Sequence, residues 1–131
     1  MPLSTTTELA LCVREACARA HANRRLPPPH KHESSAVIAR TMQALRVEVN
    51  QEFQALDTLL ERLPELLASG GRAVFLTFHS GEDRRVKKSF KAGFKSGVYS
   101  SWSRDVIIAS PTERRMNPRS KCAKLRWAVR S

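Results

Sequence analysis

The stretch AVFLTFHSGEDRRV, residues 73–86, decides the fold. Its first six residues, 73–78, are almost all apolar and rich in β-formers, which predicts a strand buried on both faces, as in a parallel sheet. Ser80 has the side chain of a helix N-cap, and Glu82 and Asp83 would face the positive end of the helix dipole. A strand that leads directly into a helix predicts an α/β fold.

A long amphipathic helix is predicted before this strand. From Ala36 onward, apolar residues recur every three or four positions, as one buried helical face requires. They are Ile38, Met42, Leu45, Val49, Phe53, Leu56, Leu60, Leu63 and Leu67. Pro64 lacks a backbone donor, so we expect it to kink the helix or restart it as a short terminal piece. Gly70 and Gly71 then end the helix.

The N-terminal part of the chain predicts a separate helix and a linker. Thr5 and Glu8 have the spacing of a capping box, and the apolar residues that follow predict a first helix over about Thr6–Ala22. Pro27–Pro29 cannot continue it, because proline lacks a donor and restrains the residue before it. We therefore divide the chain into an N-terminal helix (1–26), a proline-rich linker (27–35) and an α/β domain (36–131).

Two further strands are predicted near the C-terminus. A loop that contains Gly and Ser and holds Tyr99 and Trp102 precedes the first of them, at residues 105–109. The second, at residues 124–129, follows a polar connection that contains proline. With residues 73–78, this gives about three strands with flanking helices.

The basic charge is concentrated in the last third of the chain. Lys and Arg number 23 against 12 Asp and Glu, which gives a net charge of +11. Before Arg84 the chain has 9 basic and 10 acidic residues, whereas from Arg84 onward it has 14 basic and 2 acidic ones. This excess favours a polyanionic partner such as nucleic acid. Tyr99 and Trp102 lie between two basic blocks and could stack on bases, although they could equally be core residues.

Several functional classes are disfavoured. No apolar run approaches the roughly 18 residues of a membrane-spanning helix and no secretory signal is present, so we expect a soluble protein that is not secreted. Cys12, Cys17 and Cys122 form no C-x-x-C pair, which favours a reducing compartment over a disulfide framework or a cysteine-built zinc site. His30 and His32 are interpreted as solvated loop residues and not as metal ligands.

A polar cluster follows the predicted strand. His79, Ser80, Glu82 and Asp83 lie just past its carboxyl end, where open α/β sheets place their ligand sites. This position suggests an acid–base or metal site. The alternative is structural: Ser80 caps the helix, the two acids balance its dipole, and His79 is a turn residue. The residue types alone favour the structural alternative, because any helix N-terminus selects them.

Three motifs, in order along the chain, carry a resemblance to a known family. They are RTMQALRVEVN at residues 40–50, FHSGEDRRVK at 78–87 and NPRSKCAKLR at 117–126. Together they resemble the C-terminal part of the MraW/RsmH family, the S-adenosylmethionine-dependent methyltransferases of cytosine N4 in small-subunit ribosomal RNA. Residues 3–9 also resemble the helix before these motifs, so the similarity covers almost the whole chain.

The resemblance implies a partial class I methyltransferase fold, which is Rossmann-like. Residues 73–78 would be its fifth strand, and the two C-terminal strands its closing antiparallel pair. In whole enzymes of the family that strand end lies beside the target cytosine, which implies a substrate-facing role for His79, Ser80, Glu82 and Asp83. Two departures affect this region: Gly81 replaces the family's Leu, and Ala36-Val37 replaces its His-Pro.

The cofactor-binding half of the family has no counterpart in this sequence. The Gly-rich adenosylmethionine loop, the ribose-binding acid and the catalytic loop are all missing. We therefore expect no catalytic residue, cofactor or metal in this chain alone, and S-adenosylmethionine only where a partner completes the fold.

These observations predict a non-catalytic, RNA-binding remnant or subunit of an MraW-like methyltransferase that acts on or near small-subunit ribosomal RNA. Two alternatives stay open: an active enzyme completed by another chain, and a structural component of a ribosome or its assembly intermediate. The expected RNA contacts are Arg40, Arg46, Arg84, Arg85, Lys87, Lys88, Lys91, Arg119, Lys121, Lys124 and Arg126.

Partner and location follow from the same features. An unpaired edge on residues 73–78 would pair with another chain, which predicts a homodimer mate or a larger protein partner. No membrane is expected. The location is expected to be cytoplasmic in a bacterium, and mitochondrial or otherwise organellar if residues 5–25 are a presequence.

Overall fold

The computed structural model describes residues 4–24 and 31–131, which form two compact units, Met1–Asn50 and Gln51–Ser131. In chain order the elements are α1 (Thr6–Asn23), α2 (Lys31–Asn50), α3 (Glu52–Leu66), β1 (Arg72–Thr77), α4 (Ser80–Lys95), β2 (Tyr99–Trp102), β3 (Ile107–Ile108), α5 (Pro111–Met116), a 3-10 helix (Pro118–Cys122) and β4 (Lys124–Arg130). The mixed α/β class expected from the sequence is confirmed. No helix within the described ranges has both the length and the apolarity to cross a membrane.

The first unit consists of α1 and α2, which contact each other. The predicted capping box is confirmed: the Thr5 hydroxyl accepts from the Glu8 amide at 3.2 Å, and the Glu8 carboxylate accepts from the Thr5 amide at 3.0 Å. Helix α2 begins at Lys31, five residues before the expected start at Ala36. The earlier part of the predicted linker and His30 lie outside the described residues, as does the His32 side chain.

The predicted long helix is two helices. Gln51 adopts the left-handed conformation, with φ of 50°, and this interrupts the helix between α2 and α3. Val47, Val49 and Asn50, just before it, are weaker helix formers than Ala or Leu. Of the two effects expected of Pro64, a kink or a restart of the helix, the restart is wrong: α3 runs through Pro64 and ends two residues later.

The sheet in the second unit has the order β1-β4-β2, and β3 also pairs with β4. Every pairing is antiparallel, including β1 with β4, where Phe75 lies opposite Arg126 and Leu76 opposite Leu125. The parallel-type pairing expected for residues 73–78 is therefore not present within the described chain. The strand expected at residues 105–109 is reduced to the two residues of β3, and the expected loop with Tyr99 and Trp102 is strand β2.

The core lies on one face of this sheet. Helix α4 contacts β1, β2 and β4, and α3 contacts α4. The buried apolar residues are Leu60, Leu63, Ala73, Val86, Phe90, Tyr99 and Ala128. The Phe90 ring makes edge-on contacts with Phe75 and Tyr99, with centroids 5.7 and 5.5 Å apart. On the other face of β1, Val74 and Leu76 are 61% and 56% exposed, so the strand is not buried on both faces as predicted.

Candidate nucleic-acid interface

The turn between β1 and α4 is held by its own side chains. His79, and not Ser80, is the N-cap of α4: its Nδ1 accepts from the Gly81 amide at 3.1 Å. Glu82 reaches back and accepts from the Phe78 amide at 3.4 Å. Ser80 is exposed at the first helical position. Within the described residues, His79 and Glu82 thus hold the turn itself, and His79 takes the capping position that the structural alternative gave to Ser80.

Asp83 and Arg126 form a buried ion pair. They are 9% and 4% exposed, and the guanidinium donates to both carboxylate oxygens, from Nε at 2.7 Å and from Nη2 at 3.3 Å. Arg126 Nη1 also donates to the carbonyls of Ser103 and Arg104 at 3.3 and 3.2 Å. Neither side chain faces solvent, in contrast to the substrate-facing role expected for Asp83 and the RNA contact expected for Arg126.

Arg85 is also held within the second unit. Its Nη1 lies 2.7 Å from Asp57 Oδ2 on α3, and its guanidinium carbon lies 4.3 Å from the centroid of the Phe53 ring. The Phe53 ring in turn lies 5.8 Å from the His79 ring. Arg85 therefore joins α4 to α3, and with its side chain 37% exposed it stays a predicted RNA contact.

Four of the expected RNA contacts share an exposed face of α4. Arg84, Lys87, Lys88 and Lys91 are all exposed, and each lies three or four residues from two of the others, which places them on one side of the helix. Within residues 4–24 and 31–131, none of them has a carboxylate within ion-pair distance. This face therefore presents unneutralised positive charge to solvent.

A groove with aromatic and basic walls adjoins this face. Its volume is about 390 Å³, and its walls are Lys87, Lys91, Phe94 and Lys95 from α4, with Trp102 and Arg104 from and after β2. The Phe94 side chain is 38% exposed, Trp102 is half-buried, and the Arg104 guanidinium carbon lies 5.9 Å from the Phe94 ring centroid. We call these six residues the basic–aromatic groove; no carboxylate lines it.

Sequence reasoning found only part of this groove. The sequence leaves Tyr99 and Trp102 open between base stacking and the core: Tyr99 is 2% exposed and belongs to the core, whereas Trp102 lines the groove. Phe94 was missed because an apolar residue at helical spacing looks like a core position. Its position beside Lys91 and Lys95 is the signal that could have revealed it.

The remaining expected contacts lie apart from α4. Arg119 and Lys121 are exposed on the 3-10 helix. The Asn117 side chain caps this helix by accepting from the Arg119 amide at 3.2 Å. Lys124 is half-buried at the start of β4. Arg40 is exposed in the first unit, where its Nε donates to the Ala36 carbonyl at 3.3 Å. Arg46 is exposed in the same unit.

The described residues offer no metal centre. Within residues 4–24 and 31–131, no group of three or more His, Cys, Asp or Glu side chains lies close enough together to hold an ion. Cys12 and Cys122 are exposed free thiols, and Cys17 is a half-buried one.

Comparison with known proteins gives one consistent result. The model of a family described as the MraW methylase family matches residues 1–131. A ribosomal RNA small subunit methyltransferase H 1 of Agathobacter rectalis is 55% identical over 92 residues, which is 70% of this chain and 26% of that protein.

Two further relatives match almost the whole chain. A ribosomal RNA small subunit methyltransferase H 2 of Alkaliphilus metalliredigens is 44% identical over 98% of this chain and 36% of its own length. A ribosomal RNA small subunit methyltransferase H of Acidobacterium capsulatum is 41% identical over 97% of this chain and 39% of its own length. The chain thus spans between about a quarter and two fifths of the lengths of these three relatives.

Proposed function

Because the chain belongs to the MraW methylase family, we propose that it is the RNA-binding part of a small-subunit ribosomal RNA methyltransferase. The RNA is recognised, and no methyl transfer takes place on this chain alone. The observation that carries the proposal is the exposed basic face of α4, with Arg84, Lys87, Lys88 and Lys91. The bacterial relatives favour a cytoplasmic location.

Electrostatics supports RNA as the partner. Four cations on one helical face, without neutralising acids, attract a polyphosphate backbone and release its condensed counterions on binding. Arg119 and Lys121 add two exposed cations on the 3-10 helix of the same unit. Phosphate contacts of this kind orient the RNA but do not read its sequence. Sequence or structure preference must come from other contacts.

The described residues do not fit the family's cofactor, S-adenosylmethionine. Nucleotide-like cofactors are bound by a Gly-rich turn from a strand into a helix, where free amides approach the ligand closely. The glycine-containing turn between β1 and α4 has its Gly81 and Asp83 amides bonded to His79. The His79 and Asp83 side chains make their contacts within the fold, His79 to the Gly81 amide and Asp83 to Arg126.

A protein partner is expected at the free edge of β1 and on the exposed face of the sheet beside it. Within the described chain β1 pairs only with β4, and the exposed Val74 lines a surface cavity of about 460 Å³ with Trp127 and Val129. Leu76, which is 56% exposed, lines a second surface cavity of about 520 Å³. The occupant is the remaining part of a family methyltransferase, because the relatives contain more than half of their length outside the matched region. An active enzyme completed in this way is the second candidate function.

The RNA proposal is tested by the salt dependence of binding. We expect the logarithm of the binding constant for a single-stranded RNA to fall linearly with the logarithm of the salt concentration. Changing Arg84, Lys87, Lys88 and Lys91 all to Gln should make this dependence flatter, reducing the magnitude of the slope by about 3. A matched control changes four exposed arginines outside α4 to Gln. They are Arg14 and Arg19 in α1, Arg24 just after α1, and Arg62 in α3. Equal slopes for the two variants would contradict the assignment of the α4 face.

The partner is tested by mixing this chain with the unmatched N-terminal part of the Alkaliphilus relative. Light scattering should show a one-to-one complex that Leu76→Lys prevents and Leu66→Lys, a 69% exposed residue of α3, leaves intact. A stable homodimer broken by Leu76→Lys would instead assign the edge to a second copy. A saturable, micromolar S-adenosylmethionine isotherm for the 131-residue chain alone would contradict the expectation that this chain does not bind the cofactor by itself.

A further inference from the structure

The basic–aromatic groove combines two kinds of contact that the flat α4 face does not. Phe94 and Trp102 offer ring surface, and Lys87, Lys91, Lys95 and Arg104 surround it with positive charge. An aromatic side chain that is exposed to water contributes little to the stability of the fold. A nucleotide could use both parts of the groove, because its base can stack on the ring and its phosphate can contact the cations. Stacking of one base on an aromatic side chain contributes about 1–3 kcal/mol and tolerates any base.

We infer that this groove is a binding site for an unpaired nucleotide of RNA, whose base stacks against Phe94 and Trp102 while the adjoining phosphates contact the lysines. This inference rests on the proposed RNA-binding function and narrows its ligand to single-stranded RNA. A duplex is a poor fit, because its bases are stacked inside the helix and its sugar–phosphate surface presents no free ring.

Arg104 has a positioning role in the groove. Its backbone carbonyl accepts from Arg126 Nη1 at 3.2 Å, so the segment after β2 is tied to the central strand by the buried ion pair. Its guanidinium lies within cation–π distance of Phe94. A base that stacks on Phe94 would therefore meet a ring that is already oriented.

The two tryptophans of the chain allow a direct test. Trp102 lines the basic–aromatic groove, whereas Trp127 lies in β4 and lines the cavity beside Val74 on the uncovered face of the sheet. Trp127→Phe leaves Trp102 as the single tryptophan, and Trp102→Phe leaves Trp127, so excitation at the red edge of the tryptophan band, where tyrosine does not absorb, reports one residue in each variant. Three probes are titrated: an oligouridylate of about ten nucleotides, an RNA duplex of the same length, and inorganic polyphosphate, which has charge but no base.

We expect oligouridylate to quench the fluorescence of the Trp127→Phe protein and to leave that of Trp102→Phe nearly unchanged. Polyphosphate should compete for binding without quenching. Phe94→Leu should weaken oligouridylate binding about tenfold and leave duplex binding unchanged. Because Phe94 is partly exposed, this variant stays folded even if replacement of Trp102 disturbs the packing.

Three outcomes bear on this inference, and the first of them separates it from the proposed function. Salt-dependent binding of oligouridylate with no quenching of Trp102 and no effect of Phe94→Leu would overturn the nucleotide site and leave the RNA-binding function intact. Failure of all three probes to bind would overturn both. Quenching by polyphosphate as strong as that by oligouridylate would assign the groove to phosphate alone and contradict base stacking.

Discussion

Arg126 of the central strand and Asp83 of the first turn of α4 face each other in the interior, with Nε 2.7 Å from Oδ1. They are 43 residues apart in sequence, and each belongs to one of the motifs that mark the family, FHSGEDRRVK and NPRSKCAKLR. The two motifs therefore meet through a buried, two-pronged ion pair. This contact fixes α4 on the sheet and so positions the basic face that the helix carries.

Removing one partner of this pair should be strongly destabilising. Asp83→Ala leaves the Arg126 guanidinium buried without a counter-charge, which costs about 3–5 kcal/mol of unfolding free energy. Asp83→Leu with Arg126→Met replaces both charges by apolar groups and should recover most of that loss. Urea unfolding of both variants measures the difference. Equal destabilisation by the single and double changes would contradict a role based on charge pairing.

The strand and helix at residues 73–95 could be predicted because their pattern is local. An apolar β-forming run, a capping turn and an amphipathic helix lie one after another, and each is recognisable within a few residues. The break at Gln51 could not be predicted in the same way, because the apolar period continues across it and a left-handed φ leaves no trace in that pattern. Strand β2 was missed because its YSSW sequence is short and half polar.

The site was predictable in its charge but not in its geometry. Counting Lys and Arg residues along the sequence is enough to identify α4 as basic, because six of them lie within this one helix. It cannot show that Arg126 points inward to Asp83 or that Arg85 pairs with Asp57, because these partners are 43 and 28 residues apart. Tyr99 and Phe94 are both aromatic, but Tyr99 is buried and Phe94 is partly exposed. Long-range packing decides that, and one sequence does not record it.

Gly81 is required by the ring of Phe53. A Cβ at residue 81 would lie 2.6 Å from the Phe53 Cζ atom and 3.0 Å from His79 Nδ1. We expect Gly81→Ala to lower the unfolding free energy by about 1–3 kcal/mol through overpacking. Phe53→Leu removes the ring and should make the same change at Gly81 nearly neutral, as a double-mutant cycle by urea unfolding will measure.

The control for this cycle is Ser80→Ala, an exposed change in the same helical turn, which should stay within about 0.5 kcal/mol. An equal loss from Gly81→Ala with and without the Phe53 ring would show that the ring is not the cause.

The Glu8 carboxylate should make the start of α1 sensitive to acid. Hydrogen bonds from the Ser4 amide, the Ser4 hydroxyl and the Thr5 amide hold the pKa of Glu8 below its ordinary value. Its contribution is therefore present above the ordinary carboxyl pKa and is lost as the pH falls through the lowered pKa.

Carbon-13 NMR of the Glu8 carboxyl group should show this lowered pKa and, at the same low pH, loss of hydrogen-exchange protection at the first amides of α1. Glu8→Gln keeps an acceptor without a titrating charge, so protection in that variant should not depend on pH in this range. A Glu8 pKa at or above the ordinary carboxyl value would contradict the capping geometry.

Tyr99 should make the second unit sensitive to alkali. Burial raises the pKa of its phenol, with a smaller opposing effect from the charge of Arg130. Below the ordinary phenol pKa of about 10 both states are protonated. As the pH rises beyond it, the unfolded chain ionises first and the unfolding free energy falls until the raised pKa of the folded state is passed. The protein contains one tyrosine, so ultraviolet absorbance of the phenolate reports this group alone.

Tyr99→Phe should remove this alkaline loss and should not destabilise the protein at neutral pH. The Tyr99 hydroxyl is buried and makes no hydrogen bond within the described residues, so it loses its hydration on folding without gaining a partner. Removing such a group is expected to raise the unfolding free energy by about 1 kcal/mol, while the ring contact with Phe90 is kept. Comparing the two proteins across pH in urea cancels the titration of the lysines, which they share. A neutral-pH loss of stability in Tyr99→Phe would mean that the hydroxyl has a hydrogen-bond partner, such as a buried water.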